Sequence, residues 1–175
     1  MTRYRIQHWR NRAQSFYTDL SPEIAGWLFD PSSLTARLVK HCAGQFSVRV
    51  LSESYACPHL GEHRLLGMAN RETALIREVY LLCDGRPLVY ARTIIPVSTL
   101  VGSQRRLAHL GNKPLGAVLF SDKSMQRGEV QIARLKPAQL KFKTKEESEI
   151  WGRRSVFKLN NKPLLVSEFF LPQLI

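Results

Sequence analysis

The sequence predicts an α+β fold, an antiparallel sheet with its helices outside it, rather than strands alternating with helices. Three observations carry this expectation. Strand-like segments come in runs joined by tight turns. The phrase Asp84-Gly85-Arg86-Pro87-Leu88-Val89 returns in kind as Asn160-Asn161-Lys162-Pro163-Leu164-Leu165, two hairpin turns in one frame with apolar sequence on both sides. Helix signals fall before and between these runs, not within them.

Ser21-Pro22-Glu23 opens the first helix, with Ser21 at the N-cap and Pro22 at its first position, leading into Ile24, Trp27 and Leu28. Asp30-Pro31 interrupts it. A second helix is expected from about Ser33 through Leu34, Leu38 and Val39 until Gly44. Residues 45–54 alternate, with Phe46, Val48 and Val50 on one side, as a half-buried strand does. Residues 55–70 hold Pro58, Gly61 and Gly67 and read as an irregular excursion, long enough to serve as a lid or flap. Residues 73–83 and 86–95 form the first hairpin, closed by Pro96. Residues 103–110 have helical spacing and stop at Gly111, and Lys113-Pro114-Leu115-Gly116 is a turn before the apolar piece 117–120. Residues 129–135 read as a strand. Residues 136–149 are rich in Lys and Glu and read as a solvated insertion. The second hairpin spans 151–171.

Residues 1–175 fit one domain, long enough to bury roughly 70% of the surface the unfolded chain exposes. The 26 Lys plus Arg against 14 Asp plus Glu give a net charge of +12. Such a charge favours anionic partners, whether nucleic acid, acidic lipid or a small carboxylate. The opening residues are basic but lack an apolar h-region, and no stretch approaches the roughly 18 apolar residues of a membrane span. A soluble, cytoplasmic protein with no membrane span is expected, and with no heptad repeat to demand a partner, a monomer. Cys42, Cys57 and Cys83 are an odd count without framework spacing, so reduced thiols are expected.

Several chemistries lose weight on motif grounds. His59-Leu60-Gly61-Glu62-His63 superficially offers metal ligands, but Gly61 between the histidines and Pro58 before them argue against a helical metal face, so no metal is expected. Phosphate-binding glycine loops and the Gly-x-Ser-x-Gly nucleophile pattern are absent. Cys83 lies six residues from Arg77, roughly 20 Å along a strand, too far for activation, and reads as packing. Nucleic-acid binding keeps some weight from the charge, Arg105-Arg106 and residues 141–145, yet no helix-turn-helix, finger or stacking pattern supports it.

The hairpins are more informative. With Asp84-Gly85 as a two-residue turn, Cys83 faces Arg86 and Arg77 comes opposite Arg92. Like charges facing each other destabilise a sheet unless an anion or carboxylate lies between them; a bulge that shifts the register, or guanidiniums reaching to water, would remove the conflict instead. With Asn160-Asn161 as the turn, Leu159 faces Lys162 and Arg153 faces Glu168. Glu168 sits in the apolar strand 164–171, where a carboxylate needs a partner or a purpose. It either pairs with Arg153 or contacts a ligand hydroxyl.

At these residues the chain resembles the chorismate pyruvate-lyases, the chorismate lyase family of ubiquinone biosynthesis. The resemblance rests on Leu75-Ile76-Arg77-Glu78, Leu81-Leu82-Cys83-Asp84-Gly85, residues 91–100, Leu110-Gly111-Asn112-Lys113-Pro114-Leu115-Gly116, Trp151-Gly152-Arg153-Arg154-Ser155 and Glu168-Phe169-Phe170-Leu171-Pro172, in the right order from about residue 71 to 172. It thins before Gln45. The resemblance implies a cofactor-independent lyase that eliminates pyruvate from chorismate and leaves 4-hydroxybenzoate, on a six-stranded antiparallel sheet with the ligand enclosed under helical flaps. It implies that Arg77 holds the ring carboxylate, helped by the main-chain amides of Leu34 and Leu115. Glu168 would contact the ring hydroxyl, orienting it or assisting proton transfer. Arg92 would lie close by, suited to the second carboxylate or to the route in and out. Leu34 stands where the family often has Met, a change that a backbone contact tolerates. The insertion is longer than the family pattern leads one to expect. The runner-up is a non-catalytic domain of related fold that senses a small carboxylate, as in ligand-binding regulators.

Overall fold

The computed structural model describes residues 9–11, 20–136 and 149–174. In chain order the elements are β1 (Arg10–Asn11), α1 (Pro22–Leu28), α2 (Leu34–His41), β2 (Phe46–Ala56), α3 (Leu60–Leu65), β3 (Ala74–Cys83), β4 (Arg86–Pro96), 3-10 segments at Val97–Thr99 and Gly102–His109, α4 (Leu115–Ser121), β5 (Gln126–Arg127), β6 (Gln131–Leu135), β7 (Ile150–Leu159) and β8 (Lys162–Phe170). The strands make one antiparallel sheet in the order β1-β6-β7-β8-β4-β3-β2, with β5 pairing to β7 off this path. Among the described residues six strands are five residues or longer, and β1 and β5 are two-residue pairs. This is the α+β architecture the sequence predicts.

Local chemistry sets the helix starts. Ser21 Oγ accepts from the Ile24 amide at 3.2 Å, and Pro22 fills a position whose N–H would be unpaired in any case. Ser33 Oγ does the same for Ala36 at 3.4 Å in α2. Both hairpin turns are left-handed at their centres: φ is 49° at Asp84 and 77° at Gly85, then 49° at Asn160 and 64° at Asn161. Those angles match the twist of the flanking strands.

The sheet has two covered faces. On one, α1 and α2 place Trp27, Leu28, Leu34 and Leu38 against Val79, Leu81, Val89 and Ala91, while Leu107 and Leu119 pack on Leu75, Ile95, Phe157 and Val166. On the other, Leu66 packs on Ile76, Ile94 and Leu165, and Tyr90 stacks on Phe169. Gly152 makes room there, since a Cβ would lie 2.6 Å from the Phe169 ring.

The first hairpin departs from the predicted register. Leu81 pairs with Val89 but Leu82 pairs with Pro87, so Leu88 is an extra residue on β4 and the ladder slips by one. Arg77 therefore faces Thr93, and Arg92 faces Glu78. Because side chains alternate with period two, that slip puts Arg77 and Arg92 on opposite faces of the sheet. The second hairpin carries no bulge, and Leu159 faces Lys162 and Arg153 faces Glu168 as predicted.

Two other expectations are corrected. Cys42 and Cys83 form a disulfide, with Cα atoms 5.7 Å apart; Cys57 is free and exposed. Forty-one residues separate the pair, which hid it from spacing rules. The β2–β3 ladder sets Phe46 opposite Cys83, and that brings the chain just before it back to the end of β3. Residues 55–70 are not irregular throughout, since β2 runs to Ala56 and α3 follows. The predicted insertion 136–149 falls on residues 137–148, outside those described, although Glu149 pairs with Arg134. Among the described residues no helix is long and apolar enough to cross a membrane.

Candidate active site

A cavity opens between the sheet face that carries Arg77 and Glu168 and the first turns of α2 and α4. Its sheet wall is largely apolar, with Val79, Leu81, Ala91 and Val166 beside Thr93 and the charged residues. Leu34 and Leu115 line it from the helices, and each is the first residue of its helix. Neither first-turn amide has an intrahelical acceptor, and the two positive helix ends converge here. Gly116 permits the approach, because a Cβ on it would stand 2.6 Å from Thr35 Oγ1.

Arg77 is 3% exposed and forms the cationic wall of the cavity on the β3 side. It donates to Glu53 Oε2, its neighbour on β2, at 2.5 Å and to the Gly111 carbonyl at 2.5 Å. Gly111 holds that carbonyl with φ at +53°, a conformation other residues rarely adopt. Among the described residues these bonds use two of the five guanidinium N–H groups.

Glu168 lies across β4 from Arg77, on the same face. Its Oε2 accepts from Arg153 Nε at 2.6 Å, while Oε1 accepts no hydrogen bond from a described residue. Arg153, 2% exposed, also donates to the carbonyls of Trp27 at 2.9 Å and Asp30 at 3.0 Å. It satisfies carbonyls that the end of α1 leaves without partners, while it fixes the carboxylate. Arg127 completes this end. It donates to Ser155 Oγ at 3.2 Å, to the Asp30 carbonyl at 3.1 Å and to the Pro31 carbonyl at 3.3 Å. Burial and the Arg153 charge together push the Arg127 pKa down from the usual arginine range, with Glu168 and Asp30 opposing them.

Of the site residues the sequence nominates, Leu34, Arg77, Leu115 and Glu168 line this one cavity. Arg92 does not. It lies on the far face, 4% exposed, with Nε and Nη2 on the two oxygens of Glu62 at 2.9 and 3.1 Å and Nη1 on Glu78 Oε1 at 2.7 Å. Burial alone would lower its pKa, but Glu62 and Glu78 outweigh that and raise it. Glu62 belongs to α3, so the segment expected as a lid packs on the face away from the cavity. His59 is the N-cap of α3, with its amide on Glu62 Oε2 at 3.0 Å. Sequence reasoning missed Arg127, which follows no strand or helix pattern strong enough to place it. It noted Arg153 only as an ion-pair partner.

The family model for chorismate lyase matches residues 7–175. The chain is 41% identical over 157 residues to a protein of Methylococcus capsulatus named as a probable chorismate pyruvate-lyase, covering 87% of this chain and 96% of that one. It is 43% identical over 159 residues to a protein of the same name from Azoarcus, covering 85% and 84%. Among solved structures, a transcriptional regulator of the GntR family from Bacillus cereus superposes with a TM-score of 0.55 at 9% identity, covering 75% of this chain and 95% of that one. At that identity the last likeness shows a shared fold alone.

Proposed function

Because the chain belongs to the chorismate lyase family, we propose that its cavity holds chorismate lengthwise, with the ring carboxylate on Arg77 and the ring hydroxyl on Glu168. The protein is a lyase that converts chorismate to 4-hydroxybenzoate and pyruvate. The ether bond to the ring breaks, and its electron pair leaves with the enolpyruvyl oxygen. The hydrogen on the hydroxyl-bearing ring carbon departs as a proton, and the departing fragment gains one at its methylene carbon to become pyruvate. Aromatisation of the ring drives the reaction forward.

The observation that carries this reading is the placement of Arg77 and Glu168 in one cavity. Arg77 faces Thr93, Thr93 faces Val166, and Glu168 is two residues beyond Val166. Two strand spacings and two residues of rise put their Cα atoms roughly 12 Å apart. Inward-reaching side chains on that spacing leave room for one ring between a guanidinium and a carboxylate. The amides of Leu34 and Leu115 would add hydrogen bonds to the ring carboxylate from two helix N-termini. Each charge-assisted bond is worth about 1.5 to 3 kcal/mol. Glu168 orients the ring oxygen through Oε1 while Arg153 holds Oε2. Positioning and water exclusion carry most of the catalysis, which effective-molarity arguments put at up to roughly 7 to 11 kcal/mol in ideal cases. A buried site that fits the flat product also retains it, so release is slow. Delivery of the product to ubiquinone synthesis rests on the family resemblance.

The test is ultraviolet detection of 4-hydroxybenzoate formed from chorismate by the purified protein, with Arg77→Ala and Glu168→Ala beside it. Turnover by the wild type, lost in both variants, is expected. Tight binding of chorismate without any product would favour the second reading, a non-catalytic sensor domain.

A further inference from the structure

Chorismate carries a second carboxylate, on its enolpyruvyl arm, and Arg92 faces away from the cavity. We propose that Arg127 is the residue that binds the enolpyruvyl carboxylate. The inference rests on the reading of the cavity as a chorismate site and deepens it.

Substrate chemistry fixes where this cation must stand. The ring carboxylate and the hydroxyl are para, and the ether oxygen is on the carbon next to the hydroxyl. With the carboxylate on Arg77 and the hydroxyl on Glu168, the arm projects from the Glu168 end. Arg127 is at that end. Its partner Ser155 follows Arg153 by two residues on the same face of β7, about 7 Å along the strand. Arg153 in turn holds Glu168.

Among the arginines that line the cavity, charge pairing points to the same residue. Arg77 has Glu53 and Arg153 has Glu168, each at ion-pair distance. Arg127 lines the cavity half-buried and, among the described residues, bonds only to neutral oxygens: a serine hydroxyl and two carbonyls. A partly desolvated guanidinium beside a second arginine gains most from an anion placed against it. The depressed Arg127 pKa agrees, since a carboxylate would offset both burial and the Arg153 charge. The arm's carboxylate stays anionic from substrate to pyruvate. Arg127 thus holds the leaving fragment and takes no proton.

Its bonds to the Asp30 and Pro31 carbonyls also tie it to the segment just before α2. A variant could therefore disturb the fold, and the product serves as the control, because 4-hydroxybenzoate lacks the second carboxylate. The experiment measures kcat and KM for chorismate and the Kd of 4-hydroxybenzoate in wild type, Arg127→Gln, Arg127→Lys, Arg77→Gln and Lys113→Gln; Lys113 is the exposed cation at the cavity rim. Loss of one charge-assisted contact predicts a fall in kcat/KM of roughly 10- to 100-fold for R127Q, with product Kd within about twofold of wild type. R127K recovers part of the loss, and R77Q weakens both ligands. R127Q weakening product as much as substrate, or sparing substrate, overturns the assignment, and the same split in K113Q without it in R127Q transfers the carboxylate to Lys113. A wild type that makes no 4-hydroxybenzoate overturns the parent reading instead.

Discussion

Arg153 and Glu168 face each other across β7 and β8, with Arg153 Nε donating to Glu168 Oε2 at 2.6 Å and the same guanidinium bonded to the carbonyls that end α1. One side chain therefore aims the carboxylate of the site and anchors the end of α1. Arg153→Gln leaves a carboxylate without its cation in a largely buried place, and removal of one partner of such a pair costs roughly 3 to 5 kcal/mol. Urea unfolding of R153Q should show that loss, together with a fall in kcat. Glu168→Gln should lower kcat and cost stability as well, because it leaves the buried Arg153 guanidinium without its carboxylate.

Arg92 gives the opposite pattern. Arg92→Gln leaves Glu62 and Glu78 facing each other in a buried pocket on the far side of the sheet. A stability loss of roughly 3 to 5 kcal/mol is expected, with KM for chorismate within about twofold of wild type. A large rise in KM at unchanged stability would put Arg92 on the ligand.

The Cys42–Cys83 disulfide joins the end of α2 to the end of β3, and α2 contributes Leu34 to the cavity. Closing a loop of this length lowers the entropy of the unfolded chain, which stabilises the fold by about 4 kcal/mol in the chain-entropy picture. Thiol titration of the unreduced, denatured protein should find one reactive thiol, that of Cys57. Reduction, or Cys42→Ser with Cys83→Ser, should lower the unfolding midpoint. Three reactive thiols before reduction would contradict the pairing.

Glu72 links the approach to β3 to the 3-10 segment after β4. It accepts from Ser98 Oγ at 2.5 Å and from the amides of Ser98 and Ala69 at 3.2 and 3.0 Å. The Ser98 hydroxyl above all holds its pKa below the ordinary 4.5, against a smaller opposing effect of burial. A depressed carboxylate contributes its stability in full above the unfolded pKa and loses it as pH falls through the folded one. Urea midpoints from pH 6 to pH 3 should therefore fall more steeply for wild type than for Glu72→Gln. Parallel curves would contradict the role given to Glu72.

Legibility in the sequence followed the range of the interactions. Turn chemistry at Asp84-Gly85 and Asn160-Asn161 is local, and both hairpins form where it predicts. Helix starts at Ser21 and Ser33 are local too, and both caps are made. Arg77 and Glu168 stand out from the hairpins themselves, Leu34 and Leu115 only from the resemblance, and all four meet in one cavity. The bulge at Leu88 follows Pro87, but the equivalent Pro163 stands in a hairpin without a bulge, so local sequence does not announce the slip that moves Arg92 to the other face. The disulfide depends on strand pairing between segments forty-one residues apart. Arg127 needs β5, a two-residue strand, to reach the cavity, and periodicity cannot detect a strand that short.

A crystal structure of the protein with 4-hydroxybenzoate tests the lengthwise placement most directly. Its carboxylate should lie within about 3 Å of the Arg77 guanidinium and of the Leu34 and Leu115 amides, with its hydroxyl at hydrogen-bond distance from Glu168 Oε1. A product bound the other way round, or bound on the far face beside Arg92, would contradict it.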